Sequence, residues 1–261
     1  MPQVRVERFA GVARVVLDRP DQRNAVSHDM LEELAAAFDA LDAEPQVRAV
    51  ILAGEGADFC AGADLSDVTI IRADRDYASG FEASLRTVST HPNPVIAEVQ
   101  GSALGAGCQI VVACDLAVAA EDARIGIPSG KLGILPNFES IERLVLSVGP
   151  KHAGEILYAG RVVSGAGAAA WGLANVAVPA AELTERTFAL AERIAGLAPL
   201  SVRGAKRGVR TAIEHLSVDR FGESDRVSEF DAMAAEAFGS EDLREGIRAF
   251  RERRSPKFRG K

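Results

Sequence analysis

The chain has 261 residues, 48% of them hydrophobic, enough to bury a substantial core as one large domain or as a domain with an appendage. Its 37 acidic and 30 basic residues leave a formal charge of −7, so neither nucleic acid nor an anionic membrane is an expected partner. The stretch Met1-Pro2-Gln3-Val4-Arg5 lacks the apolar core of a signal peptide and no apolar run is long enough to span a bilayer, so a soluble cytoplasmic protein is expected.

In chain order, the alternating runs Val4 to Phe9 and Val12 to Asp18 around Ala10-Gly11 predict a β-hairpin. Arg19-Pro20-Asp21-Gln22-Arg23-Asn24-Ala25 reads as a loop. Ser27 then caps a helix that runs to about Ala43, with Met30, Leu31, Leu34, Phe38 and Leu41 facing inward and Pro45 closing it. Val47 to Ala53 is a buried strand, and Asp76 to Thr90 is a helix that follows an ambiguous stretch.

Pro94-Val95-Ile96-Ala97-Glu98-Val99-Gln100 is an apolar run of strand length that stops at Gly101. Small residues, Gly101-Ser102-Ala103-Leu104-Gly105-Ala106-Gly107, crowd the turn before a helical stretch from Cys108 to Cys114. Such a turn serves close helix–strand packing, and it also lets a ligand approach backbone. The first amides of a helix lack partners within it and the dipole adds positive potential, so N–H groups near Ala106 suit a developing oxyanion. A second tight stretch, Phe59-Cys60-Ala61-Gly62-Ala63-Asp64-Leu65, follows the strand Val47 to Ala53, and one donor from each turn would make an oxyanion hole.

Further strands are expected at Leu116 to Ala120 and Arg124-Ile125-Gly126, and this alternation of strand pairs with helices argues for an α/β core. Beyond Asn137 only Asn175 to Val178 looks extended, between helices at about Phe138 to Ser147, Pro150 to Ala159, Gly165 to Trp171 and Ala180 to Leu197. Helices starting at Pro199, spanning Glu223 to Phe238, and opening at Ser240 with an acidic first turn complete the chain. The division expected is an α/β core over 1–198 and a C-terminal helical region over 199–261.

Cys60, Cys108 and Cys114 form no C-x-x-C pair and read as small buried residues, while His28, His91, His152 and His215 are scattered away from any nucleophile motif, so no metal site is expected. Gly126-Ile127-Pro128-Ser129-Gly130-Lys131-Leu132 is one residue short of a P-loop and ends in leucine, and neither a G-x-G-x-x-G after the first strand nor a G-x-S-x-G occurs.

Arg23-Asn24-Ala25, Phe59 to Leu65, Pro94 to Ala97, Gly101 to Gly107, Cys114-Asp115 and Ser255-Pro256-Lys257-Phe258 occur together, in an order and spacing by which the chain resembles the crotonase superfamily, the enoyl-CoA hydratase/isomerase family. The resemblance covers essentially the whole length. It implies a spiral of β-β-α turns with a C-terminal helical region that drives assembly into trimers or dimers of trimers. It also implies an acyl-coenzyme A thioester as ligand, with coenzyme A entering as part of the substrate and no separate cofactor. By position, the N–H groups of Ala63 and Ala106 would receive the thioester oxygen, with Gly105 beside them, and Asp64, Leu65 and Ser66 would lie along the coenzyme A. Main chain near Ala25 and Ala61 would meet the adenine end, with Arg23, Lys257 and Phe258 as weaker candidates, the tail in one reading coming from a neighbouring subunit.

The chain departs from the family where the chemistry is densest. The two glutamates with which hydratases of the family handle water fall on Gln109 and Ser129, which can orient a water but do not readily exchange a proton near neutral pH. The aspartate that some relatives use falls on Asn137. Two residues on, Glu139 near a helix start is the candidate base for a one-carboxylate proton transfer, as a double-bond isomerase requires, though an acid in a first helical turn also has an ordinary dipole role. Glu98, placed along a strand near the site wall, and Asp67 are fallback carboxylates. Three readings follow: a hydratase/isomerase-type enzyme with Glu139 as base, an acyl-CoA decarboxylase-type lyase needing no carboxylate base, or a binding protein that has kept the cradle without the chemistry.

Overall fold

The computed structural model describes residues 2–65, 75–218, 232–233 and 235–259, with the backbone alone at 75–79 and 214–218. The predicted hairpin is β1 (Val4–Phe9) and β2 (Val12–Leu17), antiparallel with Val4 opposite Leu17. Ser27 caps α1 (His28–Asp42) by accepting from the Met30 N–H at 3.2 Å, and all five inward residues expected there are buried. Each such large apolar side chain contributes roughly 1.5–3 kcal/mol by leaving water.

β3 (Ala49–Gly54) runs parallel to β2 and is buried throughout. It starts two residues later than predicted because the Val47 and Arg48 amides are taken by the carbonyls of Glu44 and Gly11. α2 (Arg75–Thr90) packs on α1, and β4 (Val95–Val99) pairs in parallel with β3.

The small-residue stretch after Gly101 is more structured than the sequence suggests. It holds β5 (Ser102–Leu104), and α3 (Ala106–Ala113) starts two residues before the predicted point. Three residues are too few to display a period of two, and β5 finds its strand partner in β7 (Arg124–Gly126), 22 positions away in register at Ser102 and Arg124. A two-residue strand, β8 (Val163–Ser164), was likewise invisible; it pairs antiparallel with β7.

β6 (Leu116–Ala120) and β9 (Val176–Val178) complete a six-stranded sheet in the order β1-β2-β3-β4-β6-β9, beside the three-stranded β5-β7-β8. The two helices expected after Asn137 follow one another within α4 (Phe138–Leu157), separated where Gly149 leaves helical geometry, φ 73° and ψ 165°, just before Pro150. The units β4-β5-α3 and β6-β7-α4 are successive turns of the expected spiral.

α5 (Gly165–Trp171) follows, then α6 (Leu183–Ala195), which opens after a 3-10 turn at Ala180–Glu182 and covers β3, β4 and β6. α7 (Pro199–Val218) and α8 (Glu241–Arg251) form the C-terminal region, with Ser240 capping α8 through the Leu243 N–H at 3.0 Å. Most of the expected helix Glu223 to Phe238 lies outside the described residues. Among the described residues no helix is long and apolar enough to cross a membrane.

Candidate active site

Three turns meet at the carboxyl ends of the central strands. In the first, Arg23 and Asn24 adopt left-handed backbone, φ 53° and 55°, a conformation that asparagine tolerates better than most residues. Asn24 is fully buried; its Nδ2 donates to the Glu55 and Asp58 carbonyls at 2.9 and 2.8 Å, and its Oδ1 accepts from the Arg19 N–H. The Arg23 carbonyl accepts from the Ala61 N–H at 3.0 Å, which ties the first turn to the second.

The Arg23 guanidinium binds both oxygens of Asp58, at 2.7 and 3.1 Å, and reaches Ser102 Oγ on the third turn. Asp58 also accepts from the Ser102 N–H at 2.7 Å. The Arg23 bonds, with Ser102 adding to them against the cost of burial, bring the Asp58 carboxyl down to about 2. Arg23 thus spends its side chain on bracing the turns.

The second turn runs beside the third like a short parallel ladder. Cys60 N–H donates to the Ser102 carbonyl at 2.8 Å and Leu104 N–H to the Cys60 carbonyl at 3.0 Å, while Val26 and Asp64 bond across Gly62 and Ala63 on the other side. Gly62 and Gly105 both take positive φ, 125° and 54°, and a Cβ on Gly105 would stand 3.9 Å from Gly62 Cα. Ala63 and Ala106 each follow one of these two glycines. Among the described residues neither the Ala63 nor the Ala106 N–H donates a hydrogen bond, and Ala106 opens α3 with a glycine cap that offers it no side chain.

The remaining candidates are distributed as follows. Gln109 sits half-buried one turn into α3, and Ser129 opens the 3-10 turn Ser129–Lys131. Asn137 is the N-cap of α4: its Oδ1 accepts from the Ser140 N–H at 2.9 Å and its Nδ2 donates to Glu82 at 3.0 Å, so both ends of its amide are committed. Glu139 lies in the first turn of α4 with its carboxylate 44% exposed, 3.6 Å from Arg86. α3 packs against both α2 and α4, and a cavity of about 620 Å³ bounded by Glu82, Arg86, Asn137 and Glu139 opens between those two helices.

Asp64 accepts from Arg19 at 3.0 Å, and the Leu65 carbonyl accepts from Arg251 of α8 at 3.0 Å. The Ala25 carbonyl already accepts from Arg19, and the Ala61 N–H is spent on Arg23. Lys257 donates its N–H to Glu245, and Phe258 is exposed. Ser66 and Asp67 lie outside the described residues.

One carboxylate is placed differently from expectation, and a second is not among the candidates at all. Glu98 is not on a site wall: it lies on the α6 side of the sheet, 2% exposed, paired with Arg14 at 2.7 Å and accepting from Thr184. Glu82 was missed altogether, although it falls on the same buried stripe of α2 as Phe81, Ser84, Leu85 and Val88. An acid on such a stripe is the signal that reveals it.

Burial pushes the Cys60 and Cys108 thiols up to about 12, so they are small buried groups without nucleophilic character at neutral pH. Among the described residues no three histidine, cysteine or acidic side chains gather in a way that would hold a metal ion.

The family profile described as enoyl-CoA hydratase/isomerase matches residues 7–261. The chain belongs to the enoyl-CoA hydratase/isomerase family. A Thermus thermophilus protein assigned as an enoyl-CoA hydratase is 38% identical, covering 98% of this chain and all of the relative. A solved methylmalonyl-CoA decarboxylase in complex with 2-nitronate-propionyl-CoA matches with a TM-score of 0.90 at 27% identity over 99% of both chains. An enoyl-CoA hydratase/isomerase from Xanthobacter autotrophicus matches with a TM-score of 0.86 at 32% identity, covering 96% of this chain and 93% of that one. The expected crotonase-type α/β fold is therefore present along nearly the whole chain, and the protein is an enzyme of the enoyl-CoA hydratase/isomerase family.

Proposed function

We propose that this enzyme binds an acyl-CoA thioester and forms its enolate, with the thioester oxygen held by the N–H groups of Ala63 and Ala106. The observation that supports this reading is the pair of amides on adjoining turns that donate to no acceptor among the described residues. Negative charge grows on that oxygen as the enolate forms, and preorganised donors stabilise it more than they stabilise the neutral thioester. Loss of one such donor typically costs about 10² to 10³ in rate.

Glu139 is the base in this reading. With Gln109 and Ser129 at the hydratase positions, one carboxylate suits proton transfer between carbons, and Gln109 and Ser129 orient substrate or water through neutral groups. The likeness to a methylmalonyl-CoA decarboxylase supports a second reading, in which departing CO₂ leaves the enolate and no carboxylate base is needed. In either reading the C-terminal helices assemble subunits, as the exposed apolar Leu200, Val209 and Phe250 suggest.

The test is deuterium uptake from heavy water at the carbons flanking the thioester, in the wild type and in Glu139→Gln. Uptake that disappears with Glu139 supports the one-base enzyme. Consumption of a malonyl-type thioester that is indifferent to Glu139→Gln supports the decarboxylase and removes Glu139 from the mechanism.

A further inference from the structure

We propose that Glu82 is a positioning residue that anchors the start of α4 and thereby sets where the Glu139 carboxylate stands; the inference rests on the reading of Glu139 as base. Glu82 is 7% exposed on α2, and both of its oxygens are engaged by α4. Oε2 accepts from Asn137 Nδ2 at 3.0 Å and from Arg143 Nη1 at 3.2 Å, and Oε1 accepts from Arg143 Nη2. Both oxygens of this carboxylate are thus spent on α4, which makes it a brace between the two helices.

The geometry gives that pairing a consequence for chemistry. Asn137 is the cap of α4 and Arg143 lies further along the same helix, so one buried carboxylate grips α4 at two points. Glu139 lies between them. Its carboxylate meets Arg86, one helical turn after Glu82 on α2, so the two helices present Glu82, Arg86, Asn137 and Glu139 to one cavity of about 620 Å³. If the grip is lost, the cap bond from Asn137 to Ser140 can persist and α4 stays helical, but its first turn is free to shift against α2. A displacement of about 1 Å at a reacting group can cost about 10² in rate.

The experiment measures thioester-dependent deuterium exchange, separating kcat from KM, in wild type, Glu139→Gln, Glu82→Gln and Asn137→Ser. Serine keeps the helix cap and the Glu82–Arg143 pair but removes the donor to Glu82, so Asn137→Ser decides the matter even where Glu82→Gln fails to fold. Both variants are expected to lower kcat by about ten- to a hundredfold with KM nearly unchanged, whereas a purely structural role would lower the melting temperature and leave kcat per folded molecule alone. Wild-type kcat in a folded Glu82→Gln or in Asn137→Ser, alongside a silent Glu139→Gln, overturns the positioning role and leaves the base. Wild-type exchange in Glu139→Gln overturns the base assignment, and the positioning role with it.

Discussion

The carbonyl oxygen of Cys60 occupies the place where a side chain on Gly107 would begin, because a Cβ built there overlaps that oxygen. This approach brings the first turn of α3 against the segment that carries Ala63, and so fixes the Ala63 and Ala106 amides relative to each other. Gly107→Ala has to push the turns apart. We expect a loss of roughly 1–3 kcal/mol of stability from overpacking and a fall of about 10² in exchange rate from the displaced donors. Denaturant unfolding and the exchange assay measure the two separately; a stable variant with full exchange would show that the approach is incidental.

Asp58 braces the same turns and its carboxyl sits near 2, below the ordinary aspartate value, chiefly through Arg23. A depressed carboxyl stabilises the fold above its unfolded pKa of about 3.9, and that contribution is lost as pH falls toward about 2. Asp58→Asn is expected to cost up to about 2 kcal/mol at pH 7. The gap between variant and wild type in urea unfolding should narrow as pH falls from about 4 toward 2; a gap that stays constant would place the effect in shape and not in charge.

Glu98 pairs with Arg14 inside the sheet, on the side away from the candidate site. Glu98→Gln leaves a mostly buried guanidinium with Glu7, at 3.3 Å, as its remaining counter-charge among the described residues. The expected cost is about 3 kcal/mol, in the range for breaking a buried pair. Exchange per folded molecule should hold; a loss of kcat beyond the loss of folded protein would return Glu98 to the list of site carboxylates.

Lys206 Nζ meets Asp115 Oδ2 at 2.6 Å, and Asp115 also accepts from the Val95 N–H, so α7 is latched to the start of β4. Burial raises the Asp115 carboxyl and lowers the Lys206 amine, against the attraction between them. Each single replacement, Asp115→Asn or Lys206→Met, should destabilise by leaving the partner's charge in a dry setting, while the double replacement should come close to wild type. A double-mutant cycle read by thermal unfolding checks this, and additive losses would contradict it.

The candidate proton-transfer residues came from the resemblance to the family. The resemblance, by position, set Gln109, Ser129 and Asn137 where relatives carry carboxylates and left Glu139, two positions further on, as the candidate base, an expectation that needed no coordinates. Glu82 was not visible as part of that picture, because it is 55 residues from Asn137 and meets it only when α2 and α4 pack together.

The local pattern by itself determined the hairpin, α1 with its Ser27 cap, the buried β3, β4 and β6, and the helical second half, because these elements carry their own periodicity, caps and breakers within a few residues. Tertiary structure alone decided β5 and β8, whose strands are too short to show a period and exist because β7 offers them a partner. It also decided that Glu98 turns toward α6 and Glu82 toward α4, since the face on which a carboxylate finds its cation depends on which helix covers that face. The Ala63 and Ala106 amides, which donate to no acceptor among the described residues, belong to the same class: a backbone N–H is identical in every residue but proline, and only the course of the surrounding chain decides what it meets.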